Sequence, residues 1–271
     1  MLYNIFIFLS KHLDIQFKLR EKILGLHYVA NAGHIGCSLS CIDILIAVLI
    51  SKKTEKDTFL LSKGHAASAL YVSLNYLGEI SDEELSTYYK NGTTLPAHPA
   101  ALKFKGIPFA IGSLGHGFPI GTGISLGSKL LADGGYTYVV MSDGETNEGT
   151  TWEAAHFAVK HQLNNLILII DNNGLQGFGE VNDVMGNTTD IAKWQAIGFE
   201  TATVDGHDID AIQNAIESFQ NSKNNKPKVL ISKTVKGKGV SFMENKLEWH
   251  YNPMTEDLYK QALSEIAEKY L

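Results

Sequence analysis

The stretch YTYVVMSDGETNEGTTWEAAHFAVKHQLNNLILIIDNNG, residues 136–174, decides the fold. Tyr136–Met141 reads as a strand, Ser142-Asp143-Gly144 as its turn, Thr151–His161 as a helix and Asn165–Ile170 as the next strand. Leu166 to Ile170 is apolar at every position. A run without polar alternation fits a parallel strand covered on both faces. The unit ends in the turn Asp171-Asn172-Asn173-Gly174. This is a βαβ unit, so its two strands are expected to lie parallel and side by side.

The same alternation continues on either side. Downstream come a helix near Ile191–Ile197, a strand at Glu200–Val204, a helix at Ile209–Gln220, a strand at Lys228–Lys233 and a terminal helix at Glu256–Tyr270. Upstream, Phe17–Ala32 has helical spacing and is broken by Gly33-His34-Ile35-Gly36. Ser40 or Asp43 is placed to cap a second helix, apolar nearly all round and therefore buried. Thr58–Ser62 reads as a strand turning at Lys63-Gly64-His65 into a helix over Ala66–Leu77. Ser81–Gly106 is polar and irregular, and a connection of that length in a compact domain is usually functional. Gly112–Gly117 is a glycine-rich turn before a helix near Ile120–Leu131. Strands alternating with helices predict an α/β fold: a doubly wound, mostly parallel sheet with helices on both faces. No linker, repeat or low-complexity segment interrupts residues 1–271, so a single domain is expected. Ligands of such sheets bind at the carboxyl ends of the strands.

Composition narrows the classes of function. The chain has 271 residues, 44% hydrophobic and 19% charged, which suits a globular protein with a large core rather than a disordered one. A net charge of −6 argues against a nucleic-acid or anionic-membrane partner. Two cysteines cannot build a disulfide framework, so a cytoplasmic location is expected. No run approaches the roughly 20 apolar residues that span a bilayer. Leu2–Leu9 is apolar but lacks a basic flank, and reads as the buried or partner-facing start of a helix rather than a signal peptide. The 25 glycines and 10 histidines gather in a few tight clusters, which suggests backbone brought close to a ligand.

Asp143 and Asn173 stand 30 residues apart, one strand–helix–strand step, at the ends of two expected neighbouring strands. A carboxylate and an amide oxygen are hard ligands suited to Mg2+ or Ca2+, and Mg2+ is usually shared with phosphate. Gly144 would leave a bare N–H for a phosphate oxygen ahead of a helix. On spacing alone, Asp143-Gly144 and Asn173-Gly174 read equally well as ordinary turns.

The surrounding motifs carry a resemblance. Asp143-Gly144 followed by Asn172-Asn173 is similar to the thiamine-diphosphate motif GDG…NN, with Ser142 for its first glycine. Gly33–Gly36 resembles the GHPG turn of the transketolases, Leu61–Ala66 their LSKGHA, Ala97-His98-Pro99 their GHP loop and Gly112–Gly117 their GSLGQG. Glu148–Ala155 matches EGxxWEAA, Lys233–Gly239 matches KTxKGKG, and Trp249-His250 matches the start of WHG. The motifs run in collinear order over nearly the whole chain, which is similar to the diphosphate-binding (PP-type) half of a transketolase.

The resemblance implies a set of roles. Asp143, Asn173 and the Leu175 carbonyl would hold Mg2+, Ca2+ or Mn2+. Lys63, His65, Gly144, Lys236 and His250 would surround the diphosphate of thiamine diphosphate, where cations offset its charge. Gly112, Ser113 and Leu114 would meet the aminopyrimidine, and Cys37 and Glu145 would also be near the cofactor. Read from the residue itself, Cys37 is first a small buried thiol. His34, His65, His98 and His250 would line the substrate channel and move protons on sugar oxygens, a task suited to imidazole. Glu148 would lie at the contact between two cofactor sites. His12, His27, His156, His161 and His207 are read as surface or packing residues.

The implied activity is transfer of a two-carbon ketol unit from a ketose to an aldose, on free or phosphorylated sugars. A non-catalytic homologue and a deoxyxylulose-phosphate-synthase-like enzyme are the alternatives. Full-length transketolases add a pyrimidine-binding and a C-terminal domain, so the chain resembles the N-terminal subunit of a split enzyme, expected to work as α2β2 with a separate C-terminal subunit. Three positions depart from the family pattern: Ile35 for Pro, His116 for Gln, and Tyr251 for the Gly after Trp249-His250. The last is expected to narrow the substrate channel, and the substitutions together to favour an unusual sugar.

Overall fold

The strands β1 (Thr58–Leu61), β2 (Thr137–Ser142), β3 (Leu166–Asn172), β4 (Glu200–Asp205) and β5 (Lys228–Lys233) form one sheet in the order β1-β2-β3-β5-β4. Every pairing is parallel. This computed structural model describes the backbone of residues 2–101 and 103–271, and the side chains of residues 12–101 and 103–271. The expected βαβ unit is present: β2 and β3 are neighbours, with Val139 opposite Leu168 and Met141 opposite Ile170. β3 is buried along its whole length, which is why its sequence shows no alternation.

The helices are α1 (Leu2–Ala30), α2 (Ile35–Leu45), α3 (Ala67–Tyr76), α4 (Asp82–Leu85), α5 (Gly117–Leu131), α6 (Gly149–Lys160), α7 (Val181–Met185), α8 (Ile191–Ile197), α9 (Ile209–Asn221) and α10 (Glu256–Tyr270). They cover both faces of the sheet. Tyr138, Val140, Ile167 and Ile169 face the layer built from α1, α2, α3, α9 and α10. Val139, Met141, Leu168 and Ile170 face α5, α6 and α8. Among the described residues, no helix is long and apolar enough to cross a membrane.

In the N-terminal third, α1 starts at Leu2, so the helix start read at Leu2–Leu9 and the helical stretch from Phe17 form one continuous helix. The expected burial of Leu2–Leu9 concerns side chains outside the described residues. α2 starts at Ile35 behind His34, whose φ of 70° puts it in the left-handed region. Ser40 and Asp43 are therefore interior residues of α2 rather than caps. Both are fully buried, and tertiary partners take the place of a capping role. The Ser40 hydroxyl donates to Asp171 at 2.8 Å. Asp43 accepts two bonds from the Arg20 guanidinium, at 2.9 and 2.6 Å, and one from Gln16 at 2.9 Å. The Arg20 charge beside it holds the Asp43 carboxyl far below the usual range despite its burial.

His27 shows how a buried imidazole ties stability to pH. It is 1% exposed, donates from Nδ1 to the Ala32 carbonyl at 3.2 Å and shares a 2.8 Å bond with Ser68. Burial lowers it from 6.5 to about 4. Above pH 6.5 the ring is neutral in folded and unfolded chains alike. As pH falls towards 4 the unfolded chain takes up a proton that the folded one refuses, so stability is lost across that window. The cost for His27 is on the order of 3 kcal/mol by pH 4. Urea unfolding at pH 7 and pH 4.5 is expected to show a smaller acid loss in His27→Asn than in the parent chain; parallel losses would contradict this.

Candidate active site

Four histidines converge above the carboxyl ends of the strands. His34 precedes α2, His65 lies in the turn Gly64–Ala66 after β1, His98 sits in the long irregular segment, and His250 ends the turn Leu247–His250. Ring centroids lie 4.9 Å apart for His34 and His250, 5.6 Å for His65 and His250, 5.7 Å for His34 and His65, and 6.0 Å for His34 and His98. The chain is stitched here by the His34 N–H, which donates to the His250 carbonyl at 2.9 Å. Gly33 is required beside it, because a Cβ there would stand 2.6 Å from the Tyr251 carbonyl oxygen. Burial lowers His34, His65 and His250 to about 4 each; the Lys236 and Lys63 charges add to it at His250, and Cys37 opposes it at His65. Burial also lowers His98. At neutral pH the cluster is therefore uncharged and able to accept protons.

Below the histidines lies a cleft lined by Cys37, Lys63, His65, Leu114, Asp143, Gly144, Asn173, Leu175, Lys236 and His250, together with the loop Gln176-Gly177-Phe178. Its floor is a polar hub on Asp171, at the end of β3. Asp171 pairs with Lys63 and accepts from Ser40 and Thr234. Lys63 also donates to the Cys37 carbonyl at 3.2 Å, and its attachment to Asp171 raises its pKa against the effect of burial. Lys236 lies 2.9 Å from His250 Nδ1 and donates to the Leu175 carbonyl at 3.3 Å. Burial opposes ionisation of Cys37, but the Lys236 ammonium, a hydrogen bond with His65 and the Lys63 ammonium outweigh it and bring the thiol down to about 7.

Asp143, at the end of β2, is 1% exposed. Its two oxygens accept the N–H groups of Gly144 at 2.8 Å and Gly174 at 2.7 Å. The Asn173 amide oxygen accepts from the Leu175 N–H at 3.0 Å, and its nitrogen donates to Ser40 at 3.1 Å.

The family described as "Transketolase, thiamine diphosphate binding domain" matches residues 21–267. The chain belongs to the transketolase family. It is 38% identical over 261 residues to a subunit of the apulose-4-phosphate transketolase of Phocaeicola vulgatus, covering 93% of this chain and 92% of that protein. It is 35% identical over 245 residues to a subunit of the 6-deoxy-6-sulfo-D-fructose transketolase of a Clostridium species, covering 87% of this chain and 89% of that one. The crystal structure of Pichia stipitis transketolase in complex with sedoheptulose-7-phosphate superimposes with a TM-score of 0.86 at 26% identity, over 96% of this chain and 43% of that one.

Within this transketolase chain the remaining candidate residues are placed apart from the cleft floor. Glu145 is buried, and its carboxylate is taken up by Ser62, by the Gly115 N–H at 3.1 Å and by the Ser142 N–H at 2.8 Å. It braces the glycine-rich turn against the ends of β1 and β2 instead of lining the cleft. Glu148 stands at the N-cap position of α6 with no capping hydrogen bond from its side chain and is exposed, as are Gly112 and Ser113. Gly112 lies beside His98, 3.5 Å from its Cβ for an added Cβ. Of the departures from the family pattern, Ile35 is a fully buried core residue, His116 is exposed, and the Tyr251 hydroxyl donates to the Gly177 carbonyl at 2.7 Å. Sequence reading missed Asp171 as the hub, although it directly precedes Asn172-Asn173, and missed the cleft-facing Gln176.

The residues fit a divalent cation and a diphosphate. Asp143 takes part in no ion pair among the described residues, whereas the buried Asp43 and Asp171 each have a cation. Burial, and then the nearby Asp171, push the Asp143 carboxyl up to about 7. A cation beside it would offset that cost. No group of three or more His, Cys, Asp or Glu gathers around a metal position among the described residues. Asp143, Asn173 and the Leu175 carbonyl are an incomplete hard-oxygen set of the kind that Mg2+ completes with phosphate and water.

Proposed function

We propose that this chain is the diphosphate-binding subunit of a split transketolase, moving a two-carbon ketol unit from a ketose to an aldose. In this reading residues 1–271 act as one domain, in the cytoplasm, with a separate C-terminal subunit in an α2β2 assembly. The observation that carries it is the neutral quartet His34, His65, His98 and His250 set over a cleft with two lysines and a buried carboxylate that has no cation among the described residues. The names of the relatives, each given as one subunit of a transketolase, support a partner chain. Their named substrates, an apulose phosphate and a sulfo-sugar, support an unusual sugar over a common one.

Asp143, Asn173 and the Leu175 carbonyl hold Mg2+, while Lys63, Lys236, His65, His250 and the Gly144 N–H face the diphosphate. Cys37 and Leu114 line the same cleft, and Gly112 and Ser113 lie at its rim beside the aminopyrimidine. When bound, thiamine diphosphate supplies the nucleophilic carbon and the electron sink for breaking a carbon–carbon bond next to a carbonyl. The histidines take and return protons at the sugar hydroxyl and carbonyl oxygens, and burial keeps them in the proton-accepting form at neutral pH. Glu148, exposed at the head of α6, faces a second copy across the cofactor sites.

The test is reconstitution. The purified chain with Mg2+ and thiamine diphosphate is expected to show no ketol transfer, and adding the C-terminal subunit is expected to restore it. Full transfer by the chain alone contradicts the split assembly. Absence of cofactor binding in the reconstituted complex contradicts the catalytic reading.

A further inference from the structure

We propose that the Gln176 side-chain amide is an additional anion-binding group of the cleft, donating its Nε2–H to an oxygen of the cofactor's diphosphate. This rests on the thiamine-diphosphate reading above.

Buried donors in folded proteins nearly always have partners. Among the described residues only three buried side-chain nitrogen or oxygen atoms have none: Gln176 Nε2, Trp194 Nε1 and Ser232 Oγ. Trp194 lies inside the aromatic layer against Phe118 and Phe199, and Ser232 lies within β5. Gln176 alone of the three lines the cleft, beside Asp143, Lys63 and Lys236. Its side chain passes over the Gly144 turn, where an added Cβ would stand 3.4 Å from Gln176 Cγ. That is the turn whose N–H is placed to meet a phosphate oxygen.

The loop that carries Gln176 is strapped in place. Its own N–H donates to the Gly179 carbonyl at 2.9 Å, and Leu175 bridges Glu180. Lys236 holds the Leu175 carbonyl, and the Tyr251 hydroxyl holds the Gly177 carbonyl. Gly177 permits this approach, since a Cβ there would fall 2.7 Å from that hydroxyl. Tyr251, absent from the family pattern, thus acts as a positioning residue for Gln176. A side chain so fixed, with an unmet buried donor in the wall of a cation-rich cleft, is arranged for an anionic oxygen.

The experiment measures equilibrium binding by calorimetry on the complex of this chain with its C-terminal subunit. The probes are thiamine diphosphate with Mg2+, pyrophosphate with Mg2+, and thiamine. Gln176→Leu is expected to weaken both diphosphate probes by roughly 10- to 100-fold, the worth of a hydrogen bond to a charged group. Thiamine binding is expected to be unchanged. The thermal midpoint of the ligand-free variant is expected to stay level or rise, because an unmet buried donor has been removed. Gln176→Glu, which keeps the shape but replaces the donor with negative charge, is expected to weaken diphosphate binding further.

Equal diphosphate affinity in parent and Gln176→Leu overturns the proposal while leaving the cofactor reading intact. So does a Gln176→Glu variant that binds as tightly as the parent. A drop in the ligand-free midpoint that accompanies the affinity loss assigns Gln176 a structural role and also overturns it. A parent complex that binds none of the diphosphate probes overturns both this proposal and the cofactor reading.

Discussion

Replacing Asp143 with alanine is expected to weaken binding of Mg2+ and thiamine diphosphate by at least about 100-fold, beyond what loss of an indirect, ligand-orienting partner costs. The carboxylate ends β2, is 1% exposed, and has its two oxygens oriented by the N–H groups of Gly144 and Gly174. Those bonds aim it but bring no positive charge. Asp171, the neighbouring acid, already has Lys63. Among the described residues, a divalent cation therefore finds in Asp143 the one negative charge lining the cleft that is not already neutralised within the chain. In the alanine variant two backbone donors lose their acceptor, at about 1–3 kcal/mol each, offset by the removal of a buried carboxyl that has no cation among the described residues. That is a loss the domain can bear, so the variant remains folded enough to titrate. Calorimetric titration of the reconstituted complex reads the effect directly. Retained affinity would remove Asp143 from the metal assignment.

The second large effect concerns stability. Arg20→Met is expected to lower the thermal midpoint by roughly 10 °C, corresponding to about 3–5 kcal/mol. Arg20 and Asp43 are each fully buried, and losing the guanidinium strands a carboxylate in the core. The pair also reaches the cleft. His207 Nδ1 donates to Asp43 at 2.8 Å, and its Nε2 accepts the Val235 N–H at 2.9 Å, one residue before Lys236. The Arg20–Asp43 pair therefore fixes the segment that presents Lys236 to the cleft. Arg20→Met combined with Asp43→Leu removes both charges and is expected to recover much of the midpoint, because a well-packed apolar pair can replace a buried ion pair. Differential scanning calorimetry on the two variants checks this. An unchanged midpoint in Arg20→Met would show that the pair contributes little.

Where a side chain's partner is close in sequence, or the pattern repeats, the reading from residues was complete. The continuous apolar run of β3 and the step to Asp143 and Asn173 predicted the parallel pair of neighbouring strands that is observed. The motif resemblance grouped Lys63, His65, Gly144 and Lys236, and the structure brings them around one cleft. The misreadings share one physical cause. Ser40 and Asp43 look like caps because their short polar side chains suit helix starts. Their actual partners lie across the fold, Ser40 on Asp171 at a separation of 131 residues. Glu145 likewise sits within a motif, and the partners of its carboxylate, Ser62 and Gly115, come from distant segments.

Residue order thus settled the class of sheet, the position of the cleft at its carboxyl edge and the kinds of chemical group around it. Periodicity and strand-end turns are local properties, readable one segment at a time. The tertiary structure alone decided which charges are already neutralised: Asp171 by Lys63, Asp43 by Arg20, and Asp143 by no side chain among those described. It alone decided that Gln176 Nε2 has no partner among the described residues. Pairing and desolvation depend on what distant segments bring within about 3 Å, and in a buried site those two quantities set which groups remain free to bind.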